Sequence, residues 1–247
     1  MKKKDKNFVL FIGSGRSGST IVASILNSHP NVLISHEIGI IKKGYNSEKL
    51  IIDNIISHTK KKSLNYKSIN KDIKNKDINI PKKEIFLYGD KHSDQNTLSI
   101  AKNIELFNQF KSNVYNLKLI NVVRNPYDNI TTKYLRKQSM FDKKKGFIGA
   151  IKQYNIEMNT VKLLSLNNPL FNIRLENLIL NPIENISKMF DFFSLDYNME
   201  MIEKITNIIL KKPSISRNKI NWKQNQIDMV KNIIDKYEWL NGYEYEK

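Results

Sequence analysis

Apolar positions along the chain come in two rhythms. Short unbroken runs occupy residues 7–13 (Asn-Phe-Val-Leu-Phe-Ile-Gly), 32–34, 85–88, 117–123 and 171–175. Runs this short, without alternation, fit strands buried on both faces. Between them, apolar residues recur with helical period over 20–28, 96–110, 147–166, 182–193, 198–211 and 224–237. His29-Pro30 stops the first of these helices. Asn125 and Pro126 read as an N-cap and first helical residue, with Asp128 in the first turn where the helix dipole favours an acid. Asn181, Pro182 and Glu184 spell a second such start. Strands alternating with helices predict an α/β fold, with a central, mainly parallel sheet covered by helices on both faces.

Residues 42–84 interrupt this rhythm. They are rich in Lys and Asn, with one helical stretch near 48–58. Strands resume on either side, so the segment reads as an insertion or acceptor-site lid within one domain spanning residues 1–247. No internal repeat is visible.

Composition narrows the chemistry. Of 247 residues, 40% are hydrophobic and 26% charged, an ordinary globular mix able to bury a core. Cys 0 excludes disulfides, cysteine nucleophiles, iron–sulfur clusters and cysteine zinc sites. Four His (His29, His36, His58, His92) argue against a His-rich metal centre. No apolar run reaches the roughly 18–20 residues of a membrane helix. Lys2–Lys4 precede a stretch at 8–12 that is too short for a signal peptide and leads into glycines, so a cytoplasmic protein is expected. The formal net charge of +17 invites a polyanion partner. Yet 36 Lys stand against 5 Arg, in a chain also heavy in Ile and Asn. That pattern reads first as compositional bias, and no specific nucleic-acid motif stands out. The scarcity of Arg directs attention to Arg16, Arg124, Arg136, Arg174 and Arg217, because Arg alone offers a planar, bidentate donor.

Two of these fall in motifs. The first is Gly13-Ser14-Gly15-Arg16-Ser17-Gly18-Ser19-Thr20, placed between a strand and a helix. Successive N–H groups in such a loop form an anion nest, reinforced by the helix dipole and by hydroxyls at Ser17, Ser19 and Thr20. The spacing matches the Walker pattern except that Ser19 stands where Lys is required, and the cation is Arg16 inside the loop. The strand over 117–123 ends in Arg124 rather than an acid that could hold Mg²⁺. An anion site without a metal follows. The second motif delivers Arg124 to the carboxyl end of that strand, where open parallel sheets bind ligands. Thr132 lies on the following helix. Arg124 and Thr132 together suit a second phosphate; the alternative is pairing of Arg124 with a carboxylate such as Asp128.

Together these motifs resemble the sulfotransferases that use 3′-phosphoadenosine-5′-phosphosulfate (PAPS). Residues 15–20 match the family's G-R-S-G-S-T type loop, and Arg124-Asn125-Pro126-Tyr127-Asp128 matches R-x-P-x-D, with Thr132 in place of the family's Ser. Looser matches are Glu37 after the second strand, Gly89-Asp90-Lys91, Arg174-Leu175-Glu176, residues 191–195, and Ser216-Arg217-Asn218-Lys219 ahead of Trp222. The resemblance spans about residues 7–225. It implies a P-loop NTPase-like sandwich and PAPS as sulfuryl donor, with 3′,5′-ADP as product and no metal. It places Ser14, Gly15, Arg16, Ser17, Gly18, Ser19 and Thr20 on the 5′-phosphosulfate. Arg124 and Thr132 fall on the 3′-phosphate, with Arg217 and Lys219 closing nearby. Lys91 becomes a second catalytic cation beside Arg16. Glu37 is the preferred base, His92 its rival and His36 a third candidate. Trp222 is either an adenine platform or core. The expected acceptor is a hydroxyl of a carbohydrate or other small molecule. Two other classes remain open at this point: a small-molecule kinase using ATP and Mg²⁺, and a non-enzymatic polyanion-binding module. Oligomeric state is not readable.

Overall fold

The computed structural model describes residues 6–63, 84–136, 146–207, 209 and 212–246. Five strands form one sheet: β1 (Asn7–Ile12), β2 (Val32–His36), β3 (Leu87–Lys91), β4 (Leu117–Val123) and β5 (Leu170–Arg174). Their order is β2-β3-β1-β4-β5, and every neighbouring pair is parallel. The α/β prediction holds, and the strand that leads into the glycine loop lies at the centre of the sheet.

Strand alternation explains why the runs lack polar positions. Phe8, Leu10 and Ile12 of β1 enter one buried cluster, while Val9 and Phe11 enter another. Leu117, Leu119 and Val123 of β4 join the first; Ile120 and Val122 join the second. Both faces are therefore apolar, and both carry helices. The second face is covered by α1 (Ser19–Asn27), and later by α8 (Leu175–Leu180), α9 (Pro182–Phe192) and α10 (Met199–Thr206). The first face carries α2 (Ile40–Lys43), α3 (Glu48–Ser63), α4 (Ser93–Lys102), α5 (Glu105–Ser112), α6 (Pro126–Leu135), α7 (Gly146–Ser165) and α11 (Gln224–Ile234).

The differences from the sequence reading have physical reasons. β3 starts two residues late and runs through Gly89-Asp90-Lys91, because Asp90 and Lys91 find partners at the sheet's carboxyl end. A side chain at Gly89 would collide with Val9 and Ile34 on the flanking strands. The helix expected over 96–110 is two helices, broken where Asn103 adopts an extended backbone. The segment expected to be a lid begins with α3, whose Ile51 and Ile55 are fully buried with Leu33 and Tyr88. Lys and Asn on its outer positions mask that apolar stripe. The rest of the expected lid, residues 64–83, lies outside the described residues. Helix α8 is new: its six residues are too few for a helical period to register. Helix α10 ends at Thr206, and residues 208, 210 and 211 of the longer helix expected there lie outside the described residues.

Candidate functional site

The carboxyl ends of the strands deliver the glycine loop (β1), Glu37 (β2), Lys91 and His92 (β3) and Arg124 (β4) to one edge of the sheet. The glycine loop is held by its carbonyls. Ser17 Oγ donates to the carbonyl of Ser14 (2.8 Å), Asn129 Nδ2 to that of Gly15 (3.0 Å), and Arg124 Nη1 to that of Arg16 (3.3 Å). In a trans peptide the N–H points opposite to the C=O. Fixing three successive carbonyls toward protein donors aims the N–H groups of Gly15, Arg16 and Ser17 the other way. The N–H groups of Gly18, Ser19 and Thr20 follow at the start of α1, accepted by no carbonyl among the described residues. The result is an anion nest continued by a helix N-terminus.

Two glycines make this possible. Gly18 sits at φ 98°, which disfavours any side chain. Gly15 lies so close to the Asp94 carboxylate that a Cβ would come within 2.5 Å of Asp94 Oδ2. Arg16 and Glu37 are non-glycine residues at positive φ, 66° and 61°. Such conformations persist where the surroundings over-determine them, and they gather at functional sites. The hydroxyls of Ser14 and Ser17 turn inward, onto Asn129 Oδ1 (2.8 Å) and the Ser14 carbonyl, so these two residues offer the loop's outer side their backbone. Ser19 is buried and Thr20 half-buried.

Arg124 is 5% exposed and reaches several oxygens. Nη1 also donates to Thr132 Oγ1 (3.3 Å); Nη2 donates to the Ser214 carbonyl (2.6 Å), Ser214 Oγ (3.2 Å) and Ser216 Oγ (3.0 Å). Its Nε is buried and bonds to none of the described residues. Burial lowers its pKa, while the charges of Asp128 and Glu176 oppose that; a guanidinium stays charged all the same. Thr132 Oγ1 and Ser216 Oγ lie 2.7 Å apart. Arg124 does not pair with Asp128. That carboxylate is taken by Arg217, whose Nη1 is 2.9 Å from Oδ2, and by the N–H groups of Ser216 and Arg217 on Oδ1. Arg217 therefore clasps the loop 214–217 to α6, and Lys219 is exposed just beyond it. Asn125 caps α6 through Tyr127 N (3.0 Å), as its position predicted.

On the other side of β1, Lys91 Nζ donates to Glu37 Oε1 at 2.8 Å. Lys91 is buried; the Glu37 side chain is 42% exposed. Burial raises the Glu37 pKa, but the hydrogen bond and charge of Lys91, helped by His36 and His92, outweigh it and hold the carboxyl below its usual value. His36 Nδ1 is 3.9 Å from Glu37 Oε2. His92 occupies the N-cap position of α4, with Nδ1 buried and bonded to none of the described residues.

Sequence reasoning missed the supports. Asp90, 1% exposed, accepts from Ser35 Oγ, from the N–H of Ile38 on Oδ1, and from the N–H groups of Gly39 and Ile40 on Oδ2. It thereby shapes the turn that presents Glu37. Glu176 accepts from the N–H of Asn125 (2.9 Å) and from Tyr243 Oη (2.6 Å), and Arg174 holds the carbonyls of Trp239 and Asn241. The segment 239–245 is strapped over the start of α6 in this way. Trp222 lies among Tyr127, Phe147 and Tyr245 in edge-to-face contacts, as a core aromatic does. Arg136 is exposed at the end of α6.

The sequence profile of the sulfotransferase family matches residues 9–199. The chain belongs to that family, and its reaction class is sulfuryl transfer. The kinase alternative loses its footing with this assignment, as Ser19 in place of the Walker Lys already suggested. Among solved structures, the sulfotransferase domain of the Synechococcus PCC 7002 olefin synthase superposes with a TM-score of 0.58 at 14% identity, covering 96% of this chain and 98% of that one. The sulfotransferase domain of the curacin biosynthetic pathway gives 0.51 at 16% identity, over 81% and 77%. STF9 of Mycobacterium avium gives 0.52 at 10% identity, over 96% and 78%. At these identities the likeness is one of fold. A search of curated proteins found no match. No described helix is long and apolar enough to cross a membrane.

Proposed function

We propose that the chain transfers a sulfuryl group from PAPS to a hydroxyl of a carbohydrate or other small acceptor, without a metal. The observation that carries this reading is Arg124. One buried guanidinium bonds both the carbonyl of Arg16 in the first anion nest and the hydroxyl of Thr132. Two anion sites are thus built on one side chain, as a nucleotide with separate 5′ and 3′ phosphates requires. The residues fit the donor: loop N–H groups for the 5′ end, and Arg124 with Thr132 for the 3′-phosphate. Ser214 and Ser216 oxygens sit on Nη2 where phosphate oxygens would bond.

When bound, PAPS supplies the sulfuryl group: the acceptor oxygen bonds to sulfur, the bridging S–O bond breaks, and its electron pair leaves with 3′,5′-ADP. Glu37 takes the acceptor proton; its lowered pKa keeps it ionised at neutral pH. Arg16, Lys91 and the loop N–H groups stabilise charge on the leaving oxygen. Lys91 would turn from Glu37 toward that oxygen, and losing this partner raises the basicity of Glu37 when a base is needed. The test is titration calorimetry with 3′,5′-ADP. Arg124→Ala is expected to weaken binding about 10- to 100-fold, the loss of one or two charged hydrogen bonds. Equal affinity in the variant would sink the two-phosphate reading.

A further inference from the structure

Beneath the glycine loop lies a second charged group, outside the ligand-facing side. Lys133 on α6 and Glu157 on α7 form an ion pair at 2.5 Å, with side chains 2% and 0% exposed. Gln153 Nε2 donates to the same carboxylate oxygen at 2.9 Å. The other oxygen, Oε2, is buried and bonds to none of the described residues. A pair in that condition is a poor stabiliser, because removing two charges from water costs about as much as their attraction returns. Among the described residues, the hydrogen bond that leaves this cluster runs to the loop. Lys133 Nζ donates to Ser14 Oγ at 3.3 Å, and Ser14 Oγ donates to Asn129 Oδ1 at 2.8 Å. The ammonium, having no acceptor capacity, obliges the serine to accept from it and to send its own proton onward, to Asn129 Oδ1 at 2.8 Å in preference to the Gly15 carbonyl at 3.4 Å. Asn129 is then oriented to give its amide N–H to the Gly15 carbonyl.

We infer that Lys133, neutralised by Glu157, is a positioning residue for the 5′-phosphosulfate loop, acting through Ser14 and Asn129. The inference rests on the PAPS reading above. It divides α6 by function. Asp128 and Thr132, one turn apart, serve the 3′ side; Asn129 and Lys133, one turn apart on the next face, serve the 5′ side.

The test compares two ligands in calorimetry: 3′,5′-ADP, which uses both sites, and adenosine 3′-phosphate, which lacks the group held by the loop. The variant is Lys133→Met/Glu157→Gln, which removes both charges, keeps their shapes and leaves Gln153 an acceptor. The expected result is about a tenfold rise in Kd for 3′,5′-ADP, the effect of one charge-assisted hydrogen bond. Kd for adenosine 3′-phosphate should stay within about twofold of the wild type. In a Ser14→Ala background the same double change should add nothing, because its route to the loop is gone. Equal weakening of both ligands would mean a general structural role and overturn the inference, as would no weakening of either. Failure of the wild type to bind 3′,5′-ADP would instead bring down the PAPS reading and this inference with it.

Discussion

Glu37 and Lys91 illustrate how single residues are tuned at this edge of the sheet. Each sits at a strand end, and the lowered pKa of Glu37 follows from Lys91 prevailing over partial burial. If Glu37 is the base, the acid limb of kcat/KM for PAPS should fall below the ordinary carboxyl value of 4.5. A limb near 6.5, about the value for imidazole, would pass the role to His92 or His36. Glu37→Gln should lower turnover by about 10²- to 10⁴-fold while leaving the Kd for 3′,5′-ADP nearly unchanged. The same pKa has a consequence for stability. A carboxyl depressed in the folded state adds stability above its unfolded pKa and loses it as pH falls through the folded one. Wild type should therefore lose part of its advantage over Glu37→Gln as pH drops below about 4.5, the unfolded value.

At the scale of elements, the strand ends and helix starts do the organising. Helix α6 bonds the glycine loop through Asn129 and Arg124 through Thr132, and the Asp90 carboxylate holds three N–H groups of the turn into α2. Asp90→Ala would leave three backbone N–H groups without their acceptor, while the Ser35 hydroxyl keeps only the Gly89 carbonyl. The expected loss is about 2–3 kcal/mol, or roughly 5–10 °C in Tm, together with reduced turnover as Glu37 loses its setting. A wild-type Tm in Asp90→Ala would refute that role. Much of this layer was legible. The strand–loop–helix at 7–20, the Asn125-Pro126 start and the Arg124–Thr132 pair follow from short-range patterns, and the structure carries all three. What was hidden depends on distant partners. Asp128 belongs to Arg217, 89 positions away, and Glu157 belongs to Lys133 across a helix interface. No local periodicity encodes such pairs. The extension of β3 through Asp90 and Lys91 was hidden for the same reason, since polar residues join a buried strand when their partners lie on another one.

The whole molecule concentrates its chemistry at the carboxyl edge of five parallel strands, with β1 and its loop in the middle. The net charge of +17 is spread chiefly over Lys, whereas Arg124 and Arg217 are buried. Surface charge and site charge should therefore separate by experiment. Retention on DNA should weaken steeply between about 50 and 200 mM salt and be unchanged by Arg124→Ala. A loss of retention in that variant would mean that polyanions enter the nucleotide site.

The most direct measurement of the central claim is a set of thermal shifts of the wild-type chain with 3′,5′-ADP, 5′-AMP, and ATP with Mg²⁺. A ligand at 100 times its Kd stabilises by about 2.7 kcal/mol, or roughly 5–10 °C for this size. The account predicts a shift of that order with 3′,5′-ADP, independent of Mg²⁺, and a much smaller one with 5′-AMP, which lacks the phosphate for Arg124 and Thr132. A shift with ATP and Mg²⁺ but none with 3′,5′-ADP would contradict it.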